Sequence, residues 1–394
     1  MAQRGEILSE TRQRVNRLLQ ISLVLAGSLL LLAAIRNKGA QSDKIVLEHA
    51  DTLRSRNNVR ELVGHVKVTR AGTTIRAEQA IYAPDLGMVT LTGSVYLTDP
   101  ERTMRAESVE YDERSGNFDA QGSVDINARD SIRIRCKSAH FTDFNRTAEL
   151  FDDVIIDIFR DTSRITGDYG QFRTNDSSGW VEGNAKYVRP ERGDDGNDTL
   201  LITSDRLSFS RKDNSATFNG DVKLTRGDIL AVSDSLFYMP DSNQTRLKGA
   251  PLIWRGADEL TGDLIDLKYD KRELRVIEVL GNGVALSPAY EGDKRRNRLA
   301  GRKLTLEVLD DSSRVVLAKG DAEGWYYVFD SKNGYQGVNI AGAELIQLDI
   351  LGKKTTKILL EGQTSGAFYP PGQEPPNVND VDGKKMDGIG WGEL

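Results

Sequence analysis

The chain has 394 residues, 38% of them hydrophobic and 28% charged, with a formal net charge of −6. This length and apolar content suffice for a sizeable core, and the acidic balance argues against a nucleic-acid partner, because nucleic acid favours a basic protein face. The single cysteine, Cys136, excludes an internal disulfide framework.

The N-terminal part contains an uncharged apolar run over residues 18–35. As a helix this run is about 27 Å long, which is enough for the hydrocarbon core of a bilayer. Basic residues flank the run and are more frequent before it: Arg4, Arg12, Arg14, Arg17, Arg36 and Lys38. Since positive charge is retained on the cytoplasmic side, the sequence predicts a cytoplasmic N-terminus over 1–17, one transmembrane helix over 18–35 and an exported body. A cleaved signal peptide is the alternative, although 32–34 and 38–40 are poor cleavage sites.

A six-residue pattern recurs after the apolar run. It consists of a small residue, an acidic or polar residue, a variable pair around an apolar residue, and an aromatic or aliphatic residue. The copies begin 29, 30, 31, 37, 29, 29, 39 and 42 residues apart, a spacing that composition alone does not produce. The copies are Ala77–Tyr82, Ala106–Tyr111, Cys136–Phe141, Gly167–Phe172, Ser204–Phe209, Ser233–Tyr238, Gly262–Leu267 and the weaker Gly301–Leu306 and Ala343–Leu348.

A second pattern alternates with the first and has glycine at its centre, as in Leu91–Val95 and Phe218–Val222. Glycine at this position predicts a tight turn, since glycine adopts positive φ without strain. Asp152 takes the glycine position once and is one of the few residues that tolerate it. The alternation after the glycine and within each hexad predicts two strands per unit, with Glu107, Val109 and Tyr111 on one face.

A unit of about 29 residues with two strands cannot bury an apolar face alone, so neighbouring units must stack. The sequence therefore predicts an all-β body over 45–368 that consists of two facing antiparallel sheets. No segment after residue 45 has a helical period of ten or more residues. The last part, 369–394, is rich in proline, glycine and charge, and we expect a disordered tail there.

The sequence contains no constellation that points to catalysis or metal binding. The three histidines, His49, His65 and His140, have no ligand-like spacing. The acidic residues of the hexads recur once per unit, which is typical of structural positions rather than of a catalytic pair. Cys136 takes the position that Ala, Ser or Gly fills elsewhere, so we expect a small packed side chain rather than a reactive thiol. We expect no enzyme activity, no catalytic residues, no metal and no cofactor.

The apolar rows between the two sheets have two interpretations. They are a plain core if the sheets interdigitate along the whole stack. They form a groove if the small residues Ala80, Ala139, Gly170 and Ala185 leave space beside the aromatic rings. The pattern alone favours neither interpretation.

The hexads and glycine motifs together resemble the OstA-like domains of the lipopolysaccharide-transport bridge, the LptA family, over residues 45–365. A short N-terminal anchor directly before such a domain resembles LptC, the single-span inner-membrane subunit of the same machine. The resemblance implies a repetitive twisted β-jellyroll, open at both ends, whose interior shields the acyl chains of lipid A. It carries no catalytic residues.

On this resemblance we expect a single-pass inner-membrane protein with most of its chain in the periplasm. Its expected partners are lipopolysaccharide, the inner-membrane ABC transporter subunits, the membrane, and other OstA-like domains that join by edge-strand addition. An anchored structural or adhesive β-repeat protein with a dry core is the alternative. The acyl chains are expected to contact Val66, Val68, Tyr82, Val95, Leu97, Tyr111, Val124, Ile126, Phe141, Phe172, Phe209, Val222, Leu224 and Tyr238.

The predicted topology can be tested with a reporter enzyme that is active only in the cytoplasm. Fused after residue 368, the reporter should be inactive, because the charge bias around 18–35 directs the body across the membrane. Reporter activity there would contradict the predicted orientation.

Overall fold

The computed structural model describes residues 46–375, apart from residues 71, 101, 129–130, 174, 176, 192–197, 271–272, 291–292, 311 and 353. Among these residues no helix is long and apolar enough to cross a membrane. The predicted anchor over 18–35 and most of the predicted tail lie outside the described residues.

The described chain divides into two compact units. Unit 1 contains the residues up to Pro190 together with Asp205–Ser215, and unit 2 contains Glu191–Ser204 and the residues from Ala216 onwards. The boundaries predicted for the repeat body remain predictions, although the last strand extends to Tyr369.

Almost all of the described chain is strand, and all strand pairs are antiparallel, as predicted for the all-β class. In unit 1, β3 to β10 each pair with the next strand along the chain, while β1 and β2 both pair with β3. The strands are Val46–His49 (β1), Thr52–Arg56 (β2), Val59–Arg70 (β3), Thr73–Ala83 (β4), Met88–Thr98 (β5), Arg102–Asp112 (β6), Phe118–Ala128 (β7), Ile132–Thr142 (β8), Thr147–Ile158 (β9), Ser163–Arg173 (β10) and Ser178–Glu191 (β11).

The next strand, Asp198–Ser210 (β12), has its first half in unit 2 and its second half in unit 1. Unit 2 continues with Ser215–Arg226 (β13), Ile229–Met239 (β14), Gln244–Lys248 (β15), Leu252–Arg255 (β16), Asp258–Thr261 (β17), Leu264–Asp270 (β18), Glu273–Pro288 (β19), Arg296–Val308 (β20), Ser313–Phe329 (β21), Tyr335–Leu351 (β22), Lys354–Glu361 (β23) and Ser365–Tyr369 (β24). A single 3₁₀ turn, Pro240–Ser242, follows β14 in the described chain.

The recurring glycine lies in the middle of a long strand, so the predicted tight turn is wrong. Gly122 and Ser123 both have positive φ, 78° and 50°, inside β7. The pairing register shifts there on both sides, against β6 and against β8. The glycine therefore makes a bulge that bends the strand without reversing it.

The bulge also changes which hexad residues point inward. In β6, Ala106, Val109 and Tyr111 are buried, whereas Glu107 is exposed. The prediction that Glu107 shares a face with Val109 and Tyr111 is wrong for this position. Simple alternation fails because the shift in register opposite the bulge changes its phase within the hexad.

The acidic hexad residue packs directly over the glycine of the neighbouring strand. A Cβ atom added to Gly122 would lie 2.5 Å from the Cβ of Glu107, far inside van der Waals contact. This contact explains why the two sequence patterns occur together. Where Asp152 replaces the glycine, Lys137 replaces the acid, and its Nζ lies 2.9 Å from Asp153.

Each bent strand buries the inward side of both of its halves. In β7, for example, Phe118 and Ala120 before the bulge and Val124 and Ile126 after it are at most 4% exposed. A single flat sheet would leave one of its faces open to solvent, so the two halves of the strands must cover each other. Unit 1 is therefore a jellyroll-like sandwich whose closed corner is the row of bulges.

Two strands of unit 2 are interrupted at the position that corresponds to the bulge. Strands β15 and β16 both pair with β14 and are separated by Gly249 and Pro251. Proline has no N–H to contribute to the ladder, which accounts for the break. Strands β17 and β18 both pair with β19 in the same way.

The packing at the corner can be tested with Gly122→Ala. Positive φ costs an L-residue roughly 1–2 kcal/mol, and the new Cβ additionally collides with Glu107. We expect a lower thermal unfolding midpoint than for Gly72→Ala, whose glycine also has positive φ but has no atom within 4 Å of an added Cβ. Equal midpoints for the two variants would contradict tight packing at the bulge.

Candidate functional site

The residues predicted to contact acyl chains all point into the interior of their units. Val68 and Tyr82 are half-buried. The other twelve are buried, each with an exposed fraction of 7% or less. Contact of these side chains with lipid remains a prediction. The twelve are Val66, Val95, Leu97, Tyr111, Val124, Ile126, Phe141, Phe172, Phe209, Val222, Leu224 and Tyr238.

The register aligns inward side chains of each unit into unbroken rows, and the predicted Val68, Leu97 and Ile126 belong to one of them. One row of unit 1 crosses nine strands and contains no charged residue; it runs through Val68, Ile75, Leu97, Met104, Ile126, Ile134, Ile156, Ile165 and Tyr187. A row of unit 2 is at most 2% exposed and runs through Phe218, Leu236, Leu247, Ile265, Val279, Leu304, Ala318 and Ile346.

Sequence reasoning missed much of these rows. Met104, Ile134 and Ile165 lie in strands whose hexads were recognised, but they precede the hexad, whereas Ile156 lies in β9, which has the glycine-type pattern with Asp152 and no hexad. The signal for the first three was the period-two alternation before the small first residue of each hexad, as in Ile132, Ile134 and Cys136. That alternation can be recognised only when the sequence of the whole strand, and not of the hexad alone, is considered.

Aromatic rings of the interior stack in unit 1, either on neighbouring strands (β7 and β8) or across the intervening β11 (β10 and β12). The ring centroids of Phe118 and Phe141 are 5.1 Å apart, and those of Phe172 and Phe209 are 6.2 Å apart. Gly179 makes room for the second pair, because an added Cβ would lie 2.9 Å from the Phe209 ring. Small residues such as Ala120 and Ala139 occupy inward positions beside these rings.

The hairpins of unit 1 lie opposite the closed corner, because folding each strand at its bulge brings both strand ends to the same side. Three large apolar side chains are exposed in these hairpins: Leu86 at 64%, Phe144 at 97% and Phe159 at 43%. The hairpins form two rims at this edge: Leu86 and Phe144 follow β4 and β8 on one rim, and Phe159 follows β9 on the other.

In unit 2 a contact joins the two hairpin rims. Arg226 ends β13 at one rim, and Tyr269 lies at the other rim, where its N–H donates to the Asn243 carbonyl. The Arg226 guanidinium carbon lies 3.9 Å from the centroid of the Tyr269 ring. Its Nε donates to Glu191 at 2.8 Å. We call Arg226, Glu191 and Tyr269 the rim clasp. Burial raises the pKa of the Tyr269 hydroxyl, with Arg226 acting in the opposite direction.

The ionisable side chains of the described residues form no group of three that could hold a metal ion. Each histidine contacts an aspartate: His49 and His65 flank Asp51 at 3.1 and 3.0 Å, and His140 lies 2.7 Å from Asp119. The hydrogen bond with Asp51 raises the pKa of the exposed His65 ring. The absence of catalysis, metal and cofactor remains an expectation.

Cys136 lies in the inward row of β8 and is 6% exposed. Burial raises the pKa of its thiol to about 12. Because the thiolate is the reactive form, this environment suits a packed side chain and not a nucleophile.

A comparison with solved structures finds LptH of Pseudomonas aeruginosa, the LptA-homologous periplasmic component of the lipopolysaccharide transport device. The match covers 36% of this chain and 95% of LptH, with 17% sequence identity and a TM-score of 0.27. At that level the likeness carries no argument, so fold and function here depend on the strands and burial of this chain. No family model matches the sequence. No curated protein matches it either.

The state of Cys136 is testable with a thiol-reactive maleimide. At pH 8 the folded chain should remain unlabelled, because a thiol with a pKa of about 12 is almost entirely protonated and is shielded from the reagent. The same chain in denaturant should label fully. Rapid labelling of the folded protein would contradict the packing of β8 described above.

Proposed function

We propose that this chain is a non-enzymatic, membrane-anchored component of a lipopolysaccharide-transport bridge and that its interior shields the acyl chains of lipid A. The observation that carries the proposal is the set of unbroken, uncharged inward rows. An acyl chain aligned with such a row would meet only apolar side chains. Nine strands at about 4.8 Å give a row roughly 40 Å long.

Burial of acyl surface supplies the binding energy in this proposal, at about 25 cal/mol per Å². That contribution is non-directional, so the interior needs no fine discrimination between positions. The inward side chains are closely covered in this structure, and the two strand halves must therefore separate for lipid to enter. Separation at the hairpin edge leaves the bulged corner intact. In unit 2 it also requires the rim clasp to open.

Both ends of the chain offer edge strands to partners. In the described part of the chain, β1 and β2 pair only with β3, and β23 and β24 pair only with β22. Large apolar side chains are exposed at both edges, including Leu53 at 58% and Phe368 at 50%. Unpaired strand edges accept further strands. We assign the C-terminal edge to another OstA-like domain and the N-terminal edge to the inner-membrane ABC transporter subunits.

The anchor and the periplasmic location belong to the same proposal and depend on the uncharged run over 18–35. The sequence contains no phosphate-binding glycine loop. Energy for directional movement must therefore come from a partner ATPase.

A structural β-repeat protein with a dry core is the second candidate function. The low exposure of the inward rows favours it, since a permanently packed interior would look the same. The two candidates differ in whether lipid ever reaches these rows in the cell.

Photo-crosslinking in cells separates the two candidates. A photoreactive amino acid in place of the inward Tyr111 or Phe209 should form an adduct with lipopolysaccharide, visible on a blot. The outward neighbours Glu110 and Ser208 are the matched controls and should give none, because their side chains lie on the solvent side of the same strands.

A substitution complements the crosslinks. Tyr111→Asp or Phe209→Asp should block lipid passage, since a charge in an apolar interior disfavours bound acyl chains. It should do so with a smaller loss of thermal stability than of transport. Absence of inward adducts, together with an equal collapse of stability and transport, would favour the dry core.

A further inference from the structure

The two outward surfaces of unit 1 carry opposite charge. The row of bulges divides unit 1 into two halves. One surface consists of the outward side chains that follow the bulges in the odd-numbered strands, together with their partners on the even-numbered strands. The other surface consists of the outward side chains that precede the bulges, with their partners. Both surfaces extend over the same nine strands, β3 to β11. Since the two strand halves cover each other, these surfaces face in opposite directions.

The surface after the bulges, here the basic face, carries seven cationic side chains against two carboxylates, a formal excess of five positive charges. The carboxylates are already engaged: Asp125 accepts both bonds of Arg133, and Asp157 bonds Arg135 and Arg164 at 2.8 and 2.6 Å. The cationic residues are Lys67, Arg76, Arg105, Arg133, Arg135, Arg164 and Lys186.

Some of these cations have no carboxylate bound to them among the described residues. Arg76 is exposed and forms no hydrogen bond there, and Arg105 is exposed and contacts the Tyr96 ring at 5.3 Å. The register places Arg76 and Arg105 on either side of Tyr96. They stand two strands apart, about 9.6 Å.

The surface before the bulges, here the acidic face, carries five carboxylates on β3 to β11, and its basic side chain on these strands is a histidine. These residues are Glu61, Glu110, Asp119, Glu149, Glu182 and His140. At its margins, Arg206 of β12 stacks on Trp180 at 3.8 Å and pairs with Glu182 at 3.1 Å, and Arg54 of β2 lies 3.7 Å from Glu61. The same face also presents an aromatic series. Phe151 and Tyr169 have ring centroids 5.1 Å apart, and Tyr169 and Trp180 have centroids 5.2 Å apart.

We propose that the basic face of unit 1 docks against the acidic face of unit 1 in a second copy of this chain. The two faces match in formal charge, in length and in the spacing of their strands. Their chemistry also matches, because arginine meets aromatic rings and carboxylates across the contact, a combination enriched at protein interfaces.

The size of each face suits a specific contact. Nine strands at about 4.8 Å and about five residues at 3.3 Å give roughly 600–700 Å² per partner. Specific interfaces begin at about 600 Å² per partner. A simple sideways translation brings one face onto the other, so all copies retain one orientation. Such a contact is heterologous and continues from copy to copy.

An anionic lipid surface is the competing occupant of the basic face. It would leave the acidic face and its aromatic series without a role, whereas a second copy uses both faces. The second copy is therefore the occupant that the two faces together favour.

The association should be weak and sensitive to salt. Ion pairs at an exposed contact contribute little individually, and electrostatic complementarity mainly sets specificity and association rate. The Debye length falls from about 10 Å at 0.1 M salt to about 3 Å at 1 M. Co-association should accordingly fall by about tenfold or more between low and high salt.

The experiment uses two differently tagged copies of the full chain in detergent micelles at low salt, with one tag captured and the other quantified. Arg76→Glu/Arg105→Glu lowers the formal charge of the basic face from about +5 to about +1, and Glu110→Lys/Glu149→Lys brings the acidic face from about −5 to about −1, so each variant retains only one strongly charged face. Each variant should lose capture of its own kind by about tenfold. A mixture of the two variants should recover capture, because an acidic surface again meets a basic one.

Controls separate the faces from other causes. Arg56→Glu/Lys212→Glu makes the same change of charge at hairpin ends outside both faces and should behave as wild type. Protection of Cys136 from maleimide shows that each variant is folded. Contact through the N-terminal segment would be common to all variants, so it cannot produce their expected differences.

Three results would overturn the proposal: no capture by the wild type at low salt, equal capture by all variants, or no recovery in the mixture of folded variants. Flotation with phosphatidylglycerol vesicles tests the competing occupant. Vesicle binding that Arg76→Glu/Arg105→Glu abolishes, with no capture between copies, would assign the basic face to lipid and reject the second copy.

Discussion

The contact between an acidic side chain and the glycine of the next strand determines the rest of this structure. At Gly122 the backbone has positive φ and the Glu107 side chain occupies the space where a Cβ would lie. The resulting bulge bends a strand that would otherwise continue straight. Repetition of this contact aligns the bends along one corner, and the strand halves fold over each other there. Stacked units without the aligned bends would form a single sheet with one face open to water.

The folded corner closes each unit on one side and leaves the hairpins on the other. The inward rows are continuous because each strand contributes its apolar positions at the same register. The hairpins gather on the opposite side, where unit 1 exposes Leu86 and Phe144. Unit 2 differs at this edge because Arg226 reaches Tyr269 and Glu191. The hairpin edge of unit 1 therefore exposes apolar side chains, whereas that of unit 2 carries a charged clasp.

The outward surfaces of unit 1 differ from its interior in what determines their residues. Outward positions do not affect the core, so their charges are free to vary without loss of the fold. Even so, cations collect on one face and carboxylates on the other, while Arg133, Arg135 and Arg164 share two aspartates. This separation of charge is the basis for the proposed contact between two copies of the chain.

The sequence by itself determined the class of this fold, because a 29-residue spacing and period-two alternation are local properties. It also identified side chains such as Leu97, Phe141 and Val222 as inward-facing. Only the tertiary structure decided that the glycine bends a strand and that Ala106, not Glu107, points inward with Val109. The alternation changes phase where a hexad strand pairs with the bulge of its neighbour. The hexad sequence alone does not reveal that pairing. Sequence reasoning also missed the division into two units. It missed the contact between Arg226 and Tyr269 because these residues lie on strands that are distant along the chain.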